Sequence, residues 1–484
     1  MLDQGRQNKG ERKMSKAGEN RGKPFDLNVE KILEDWEIYH GIREIIANAI
    51  DEETLTGCKP TEIFKDNTGR WHFEDYGRGL KYQHLTQKED PEKLKNPHVI
   101  GKFGIGLKDA LATFDRRKVK VHVKSMYGNI TIGKSEKHGF EDLITLHAFV
   151  SPPSEPNFAG TEFILEGCTA KDVEMAKSLF LRFSGEKVIE ETGYGAIFEK
   201  KGDIGKIYIN GARVAEEENF LFSYNITSLT KAIKKALNRE RTNVGRTAYS
   251  ERVKSILLAC KSKSVAQVLV KDLEGFEEGT LHDELNWADV SAHACKLLNA
   301  LEKVVFFTPS ELMRAKDIVD KAKGDGYRVI TIPENVRDKI HGGLDVSGHP
   351  MVDMTQFQLD WNKSFKFDFI NEEDMTLQEK TIFRMTKPII NLAGGKPKNI
   401  KEIKVSNTMR INPYSLRESE GLWDPVTGFI VIKRDQLRSL EKYAGTLLHE
   451  LCHAKSGTSD ITSEFEHELT ALIGTIAAKS LNNK

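Results

Sequence analysis

Apolar positions recur every three to four residues over 27–56 (Ile32, Leu33, Trp36, Ile42, Ile45, Ile46, Ala49, Ile50), the period of a helix buried along one face. Short runs of β-branched and aromatic residues at 62–64, 71–73, 119–123, 143–149 and 162–165 predict strands. The segment 80–100 is charged and holds Pro91 and Pro97, a composition suited to a mobile lid. Helices interleaved with mainly antiparallel strands predict an α+β layer sandwich over 25–170 rather than a doubly wound sheet.

The pattern changes at about 171. A helix over 170–183 precedes strands at 196–198, 207–209 and 220–224, with Asn210-Gly211 as a hairpin turn, and helices follow at 228–238 and 248–260. Residues 303–332 read strand, helix (310–323), strand, a small α/β unit without a catalytic motif. A glycine-rich break over 341–350 marks a boundary. Beyond it lie a strand at 429–432 and helical patterns at 435–455 and 462–481. The fold class expected is multidomain α+β, divided into a basic tail (1–24), a first domain (25–170), a second (171–258), a small α/β connector (259–345) and a C-terminal α+β domain (346–484).

Composition narrows the class. At 484 residues the chain exceeds one ordinary core. Its formal net charge is zero, so no whole-molecule field draws it to nucleic acid or an anionic membrane. Residues 1–24 carry seven cationic and three acidic side chains; a solvated leader is the expectation, and a nucleic-acid arm stays open. The five cysteines are scattered without a Cys-x-x-Cys pair, and no apolar run reaches the roughly 18 residues of a membrane span. A cytoplasmic protein with reduced thiols and no membrane partner is expected.

Two stretches carry chemistry. Glu44, Asn48 and Asp51 fall at i, i+4 and i+7, along one helix face. Asn48, with phosphate oxygens and waters, suffices for magnesium, leaving Glu44 as general base. Asp75 opens a turn in which Gly77 and Gly79 remove bulk where a planar base would approach. Gly101, Gly104 and Gly106 precede an apolar helix whose N-terminal amides suit phosphate, and Lys108 adds charge. These motifs, in this order, resemble the Bergerat-fold ATPases of the gyrase, histidine-kinase, MutL and heat-shock chaperone superfamily (GHKL). Gly160-Thr161 resembles its fourth motif. The resemblance implies ATP and Mg2+ as cofactors, Glu44 activating water, Asn48 on magnesium, and Asp75 and Thr161 at the adenine. It extends into 171–258 as a transducer domain, whose Leu237-Asn238-Arg239-Glu240-Arg241 points to Arg241 as the cation reaching the γ-phosphate, with Arg239 and Arg246 as competitors.

Near the other end stands His449-Glu450-Leu451-Cys452-His453 on a helical pattern capped by Gly457. Histidines at i and i+4 can share one cation, and Glu450 is placed to take a proton from water. The pattern resembles zinc metallopeptidases of the zincin type. The upstream strand at 429–432 resembles the edge strand on which such enzymes extend a peptide. The metzincin signature needs a third histidine at 459, which is serine here. Glu466 lies nearest the apolar face of the next helix and is the expected third ligand, as in the gluzincins, with Asp460 next and Glu468 third. The joint expectation is an ATPase gating a zinc peptidase, with a protein or peptide substrate and a nucleotide-dependent homodimer left open. Its rival is a chaperone-like or DNA-associated ATPase, of the kind MORC resembles, with a structural metal.

Overall fold

The computed structural model describes residues 23–27, 34–86, 91–101, 105–137, 140–237 and 244–482. The chain divides into two compact units, Met1–Val265 with His282–Val290, and Ala266–Leu281 with Ser291–Lys484. It is a multidomain mixed α/β protein with several separate sheets. No helix among the described residues is long and apolar enough to cross a membrane.

The first unit opens with strand β1 (Lys23–Asp26) and helix α1 (Ile38–Thr56). Of the helix predicted over 27–56, residues 28–33 lie outside the described residues, and α1 itself begins at Ile38. Residues 23–27 are extended because Phe25 and Leu27 alternate into the core and the Leu27 N–H donates to the Leu146 carbonyl at 3.0 Å. Strands β2 (Glu62–Lys65), β3 (Trp71–Asp75), β4 (Lys120–Ser125), β5 (Gly128–Lys137), β6 (Phe140–Ser151) and β7 (Thr161–Glu166) follow. They form one sheet in the order β1-β6-β5-β4-β7-β3-β2, every pairing antiparallel. Within the predicted lid segment lies a short helix, α2 (Pro91–Lys95), and α3 (Gly106–Arg116) follows it. Ile42, Ile45 and Ile46 of α1 and Leu111 and Phe114 of α3 pack against Phe73, Val121, Val123, Phe163 and Leu165 on one sheet face. That packing fixes the rotation of α1, and so the direction of its polar stripe.

After α4 (Ala170–Lys177) comes a second sheet, β8 (Val188–Thr192), β9 (Gly195–Glu199), β10 (Gly205–Ile209), β11 (Ala212–Glu217) and β12 (Phe222–Ile226), ordered β11-β10-β12-β9-β8. Asn210 and Gly211 turn β10 into β11 with φ of 49° and 83°, as a two-residue hairpin requires. Helices α5 (Lys231–Ala236) and α6 (Arg246–Ala259) complete the region.

In the second unit, β13 (Val304–Phe307) and β14 (Arg328–Thr331) pair in parallel. The helix predicted over 310–323 is broken at Ala315 into Pro309–Arg314 and Lys316–Gly324. One core joins Val305, Phe307 and Ile318 with Met354, Phe357 and Ile411. A four-stranded sheet then runs β15 (Phe369–Ile370), β16 (Glu402–Ser406), β18 (Phe429–Lys433), β17 (Gly421–Asp424) in space. The strand expected at the edge, β18, is interior, because it pairs on both sides; its all-apolar run Phe429-Ile-Val-Ile432 is that of a strand covered on both faces. The edge beside the long helix α7 (Leu440–Ser456) is β17. Helix α8 (Ser463–Asn482) packs on α7 through Phe465, Leu469 and Leu472.

Candidate functional site

Residues from four separated stretches meet at one cavity of the first unit. It is lined by Glu44, Asn48 and Glu52 of α1, Asp75 of β3, Arg78, Gly79, Lys93, Gly101, Gly106 and Thr161, with an apolar side from Leu80, Leu107 and Phe163. Glu44 is 3% exposed, and Arg43 donates to its Oε1 from Nε (3.1 Å) and Nη2 (2.8 Å). Its Oε2 lies against the first turn of α3, where a Cβ on Gly106 would sit 2.0 Å away. Only glycine lets that carboxylate and that helix end share the space.

Asp75 and Thr161 are register partners on β3 and β7. The Asp75 carboxylate accepts from the Gly77 N–H at 2.9 Å and from Thr161. Burial pushes its pKa up to about 6 despite those donors, and the Glu52 charge adds to the rise. Asp51 is fully buried and does not line the cavity. It accepts from the Ile100 N–H (2.6 Å), the Gly101 N–H (2.8 Å) and Lys93 Nζ (3.0 Å), which fastens the chain entering the glycine-rich segment. Lys108 stands in the first turn of α3, outside the cavity lining. Gly104, Arg239 and Arg241 lie outside the described residues. Arg246, their competitor, pairs with Asp283 at 2.7 Å.

Sequence reasoning missed Glu52, Arg78 and Lys93. Arg78 donates from Nη2 and Nε to the two Glu52 oxygens (2.7 and 3.0 Å) and also pairs with Glu92. Lys93 Nζ donates to Asn48 Oδ1 at 3.0 Å. A charge in a five-residue helix carries no motif, so only the folded structure shows where it lands.

The second cluster lies on α7 and the turn after it. His449 Nε2 and His453 Nε2 are 3.1 Å apart, and Asp460 Oδ1 is 3.1 and 3.2 Å from them. This is the one group of three potential ligands that converges among the described residues. Tetrahedral zinc with bonds near 2.1 Å needs ligand atoms about 3.4 Å apart, so the triangle fits a zinc ion with one position left open. Two ring nitrogens and a carboxylate oxygen facing one point would repel without a proton or cation among them. His453 Nδ1 lies 2.8 Å from the Thr458 carbonyl, the contact that leaves Nε2 as the acceptor. Burial lowers the His449 pKa, with the Asp460 charge opposing.

Glu466, the expected third ligand, is exposed and outside the cluster. Helix α8 instead presents Phe465, stacked on His453 with ring centres 4.4 Å apart and edge-on to His449 at 5.0 Å. Glu468 pairs with Lys455 at 3.5 Å. Glu450 is 6% exposed beside the edge strand, where a Cβ on Gly421 would stand 2.7 Å from its Oε1. Burial pushes its carboxyl up to about 8, against a bond from the Trp423 backbone.

Comparison with known proteins bears on family membership. Residues 171–263, the second sheet and its helices, match the family described as the Mycoplasma pneumoniae MPN635 N-terminal domain. A Mycoplasma pneumoniae protein described as uncharacterized is 38% identical over 250 residues, 50% of this chain and 98% of the relative. A second uncharacterized protein of that organism is 23% identical over 375 residues, 66% of this chain and 96% of the relative. The chain belongs to the family of the first of these Mycoplasma proteins.

Proposed function

We propose that this chain is a GHKL-type protein that binds and hydrolyses ATP, joined to a zinc-dependent peptidase whose activity follows the nucleotide state. The observation that supports the proposal is convergence: Glu44, Asn48, Asp75 and Thr161 line one cavity, and His449, His453 and Asp460 meet around one point.

In the first unit, the buried Asp75 carboxylate and Thr161 would hold the adenine amino edge, and the N-terminus of α3 would receive phosphate. Asn48 Oδ1 already faces a cation, the Lys93 ammonium, so its place suits magnesium, which when bound neutralises phosphate charge. Arg43 fixes Glu44 at Oε1, and Oε2 would take the proton of the attacking water.

In the second unit, His449, His453 and Asp460 would hold zinc, which when bound acts as a Lewis acid toward a peptide carbonyl. Glu450 would carry the proton. Its raised pKa is that of a buried carboxyl without a cation, and a divalent charge on its neighbours would lower it. As the edge strand, β17 is where an extended peptide could pair, beside Glu450, which itself holds the Trp423 backbone.

The test uses the purified full chain. Stoichiometric zinc is expected in the wild type and its loss in His449→Ala. Peptide cleavage should vanish in Glu450→Gln with zinc retained, and should respond to ATP in the wild type but not in Glu44→Ala. Absence of zinc would remove the peptidase half. Equal cleavage with and without ATP would remove the coupling and leave both sites standing.

A further inference from the structure

Lys93 sits where a nucleotide-bound metal ion is expected. Its Nζ is 3.0 Å from Asn48 Oδ1 and 3.0 Å from Asp51 Oδ2, and its side chain is only 13% exposed. Asp51 is fully buried, and Glu44, Glu52 and Asp75 line the cavity that Lys93 also lines, so the ammonium has carboxylates around it. A second contact holds the same helix down, because Glu92 pairs with Arg78, itself clamped on Glu52. With α2 in this position the cavity measures about 110 Å³. Sites for ligands the size of a nucleotide run to several hundred Å³. Lys93 of the docked helix and a nucleotide-bound metal ion would therefore compete for Asn48.

The stem beyond the helix is fastened separately. Ile100 and Gly101 donate their N–H groups to Asp51, and Asn210 Nδ2, on the β10–β11 turn, donates to the Pro97 (2.8 Å) and Val99 (3.1 Å) carbonyls. Release of Lys93 would free 91–96 and leave 97–101 anchored.

Resting on the nucleotide-site reading, we infer that Lys93 is a displaceable occupant of the metal position: its ammonium stands in for the divalent cation on Asn48, so metal–nucleotide binding and lid docking exclude each other. A single positive charge with three N–H donors satisfies Asn48 and Asp51 in the resting state. A divalent ion bringing phosphate oxygens replaces it, and the lysine leaves with α2. The sequence offers no sign of this, since Lys93 is one of three charged residues in Glu92-Lys93-Leu94-Lys95.

Binding of a fluorescent ADP analogue to the full chain, titrated with Mg2+, tests it in wild type, Lys93→Met and Lys93→Arg. Lys93→Met is expected to lower the half-saturating Mg2+ concentration roughly tenfold, as removal of one charged competitor implies. Lys93→Arg, which keeps the charge, should stay near wild type. Hydrogen exchange should rise over 91–96 but not 99–101 when Mg2+ and ADP bind the wild type, and should already be raised in nucleotide-free Lys93→Met. Unchanged Mg2+ dependence in Lys93→Met, or weaker nucleotide binding at saturating Mg2+, overturns the inference, the latter by making Lys93 a phosphate ligand. If neither protein binds the nucleotide at any Mg2+ concentration, the nucleotide-site reading itself fails.

Discussion

Asp75 carries a burden few carboxylates bear: it is 6% exposed, beside Glu52, with the Gly77 and Thr161 donors as compensation. Its pKa of about 6 lies above the ordinary 3.8, so the folded protein holds this proton to higher pH than the unfolded chain. The stability it contributes is complete below pH 3.8 and is lost as pH rises through about 6. Asp75→Asn should therefore gain on the wild type in denaturant unfolding between pH 4 and 8, by up to about 3 kcal/mol. The same variant should bind adenine nucleotides at least tenfold more weakly, and wild-type affinity should fall as pH drops below about 6. A pH-independent stability difference would count against the buried ionisation. At the other site, the space above Gly421 is filled by Glu450 and by Thr446, whose Cγ2 would be 2.6 Å from an added Cβ. Gly421→Ala should cost about 1–3 kcal/mol in stability and reduce peptide turnover while zinc content is unchanged. Full turnover would show that the carboxylate does not need its seat on β17.

At the scale of elements, α1 and α8 show how helical phase is set. On α1, a broad apolar face locks into the sheet, and Glu44, Asn48 and Glu52 have one direction left to point. On α8 the apolar face was legible too, yet it placed Glu466 wrongly. Phe465 takes the position against the histidine rings, and the next residue is turned about 100° away, into solvent. The third potential ligand comes from the turn instead, where Ile461 adopts φ of 64° and no periodicity rule applies. Asp460→Ala should accordingly cut zinc affinity by more than the roughly 10–100-fold typical of outer contacts, and Glu466→Ala should leave it unchanged. Zinc titration against a competing chelator reads both; equal effects would place the third ligand elsewhere.

For the whole molecule, two compact units each hold one candidate site. A ligand that binds only the folded form stabilises by about 2.7 kcal/mol at a hundredfold excess over its Kd. Mg2+ with nucleotide should raise the midpoint of one thermal transition by a few degrees, and a chelator should lower that of the other. A single transition answering to both ligands would show the units to be energetically one.

Local order along the chain was enough for much of this. Each motif taken singly between Glu44 and Thr161, the pair His449 and His453 one turn apart, and the Asn210-Gly211 hairpin are short-range facts, fixed by helical pitch or turn geometry and so legible in the sequence. Tertiary structure alone decided which strand forms the edge beside Glu450, that Asp460 rather than Glu466 reaches the histidines, and that Lys93 rests on Asn48. Each of those depends on where a turn or a partner strand comes to lie. That position is set by packing between segments distant in sequence, which no local pattern encodes.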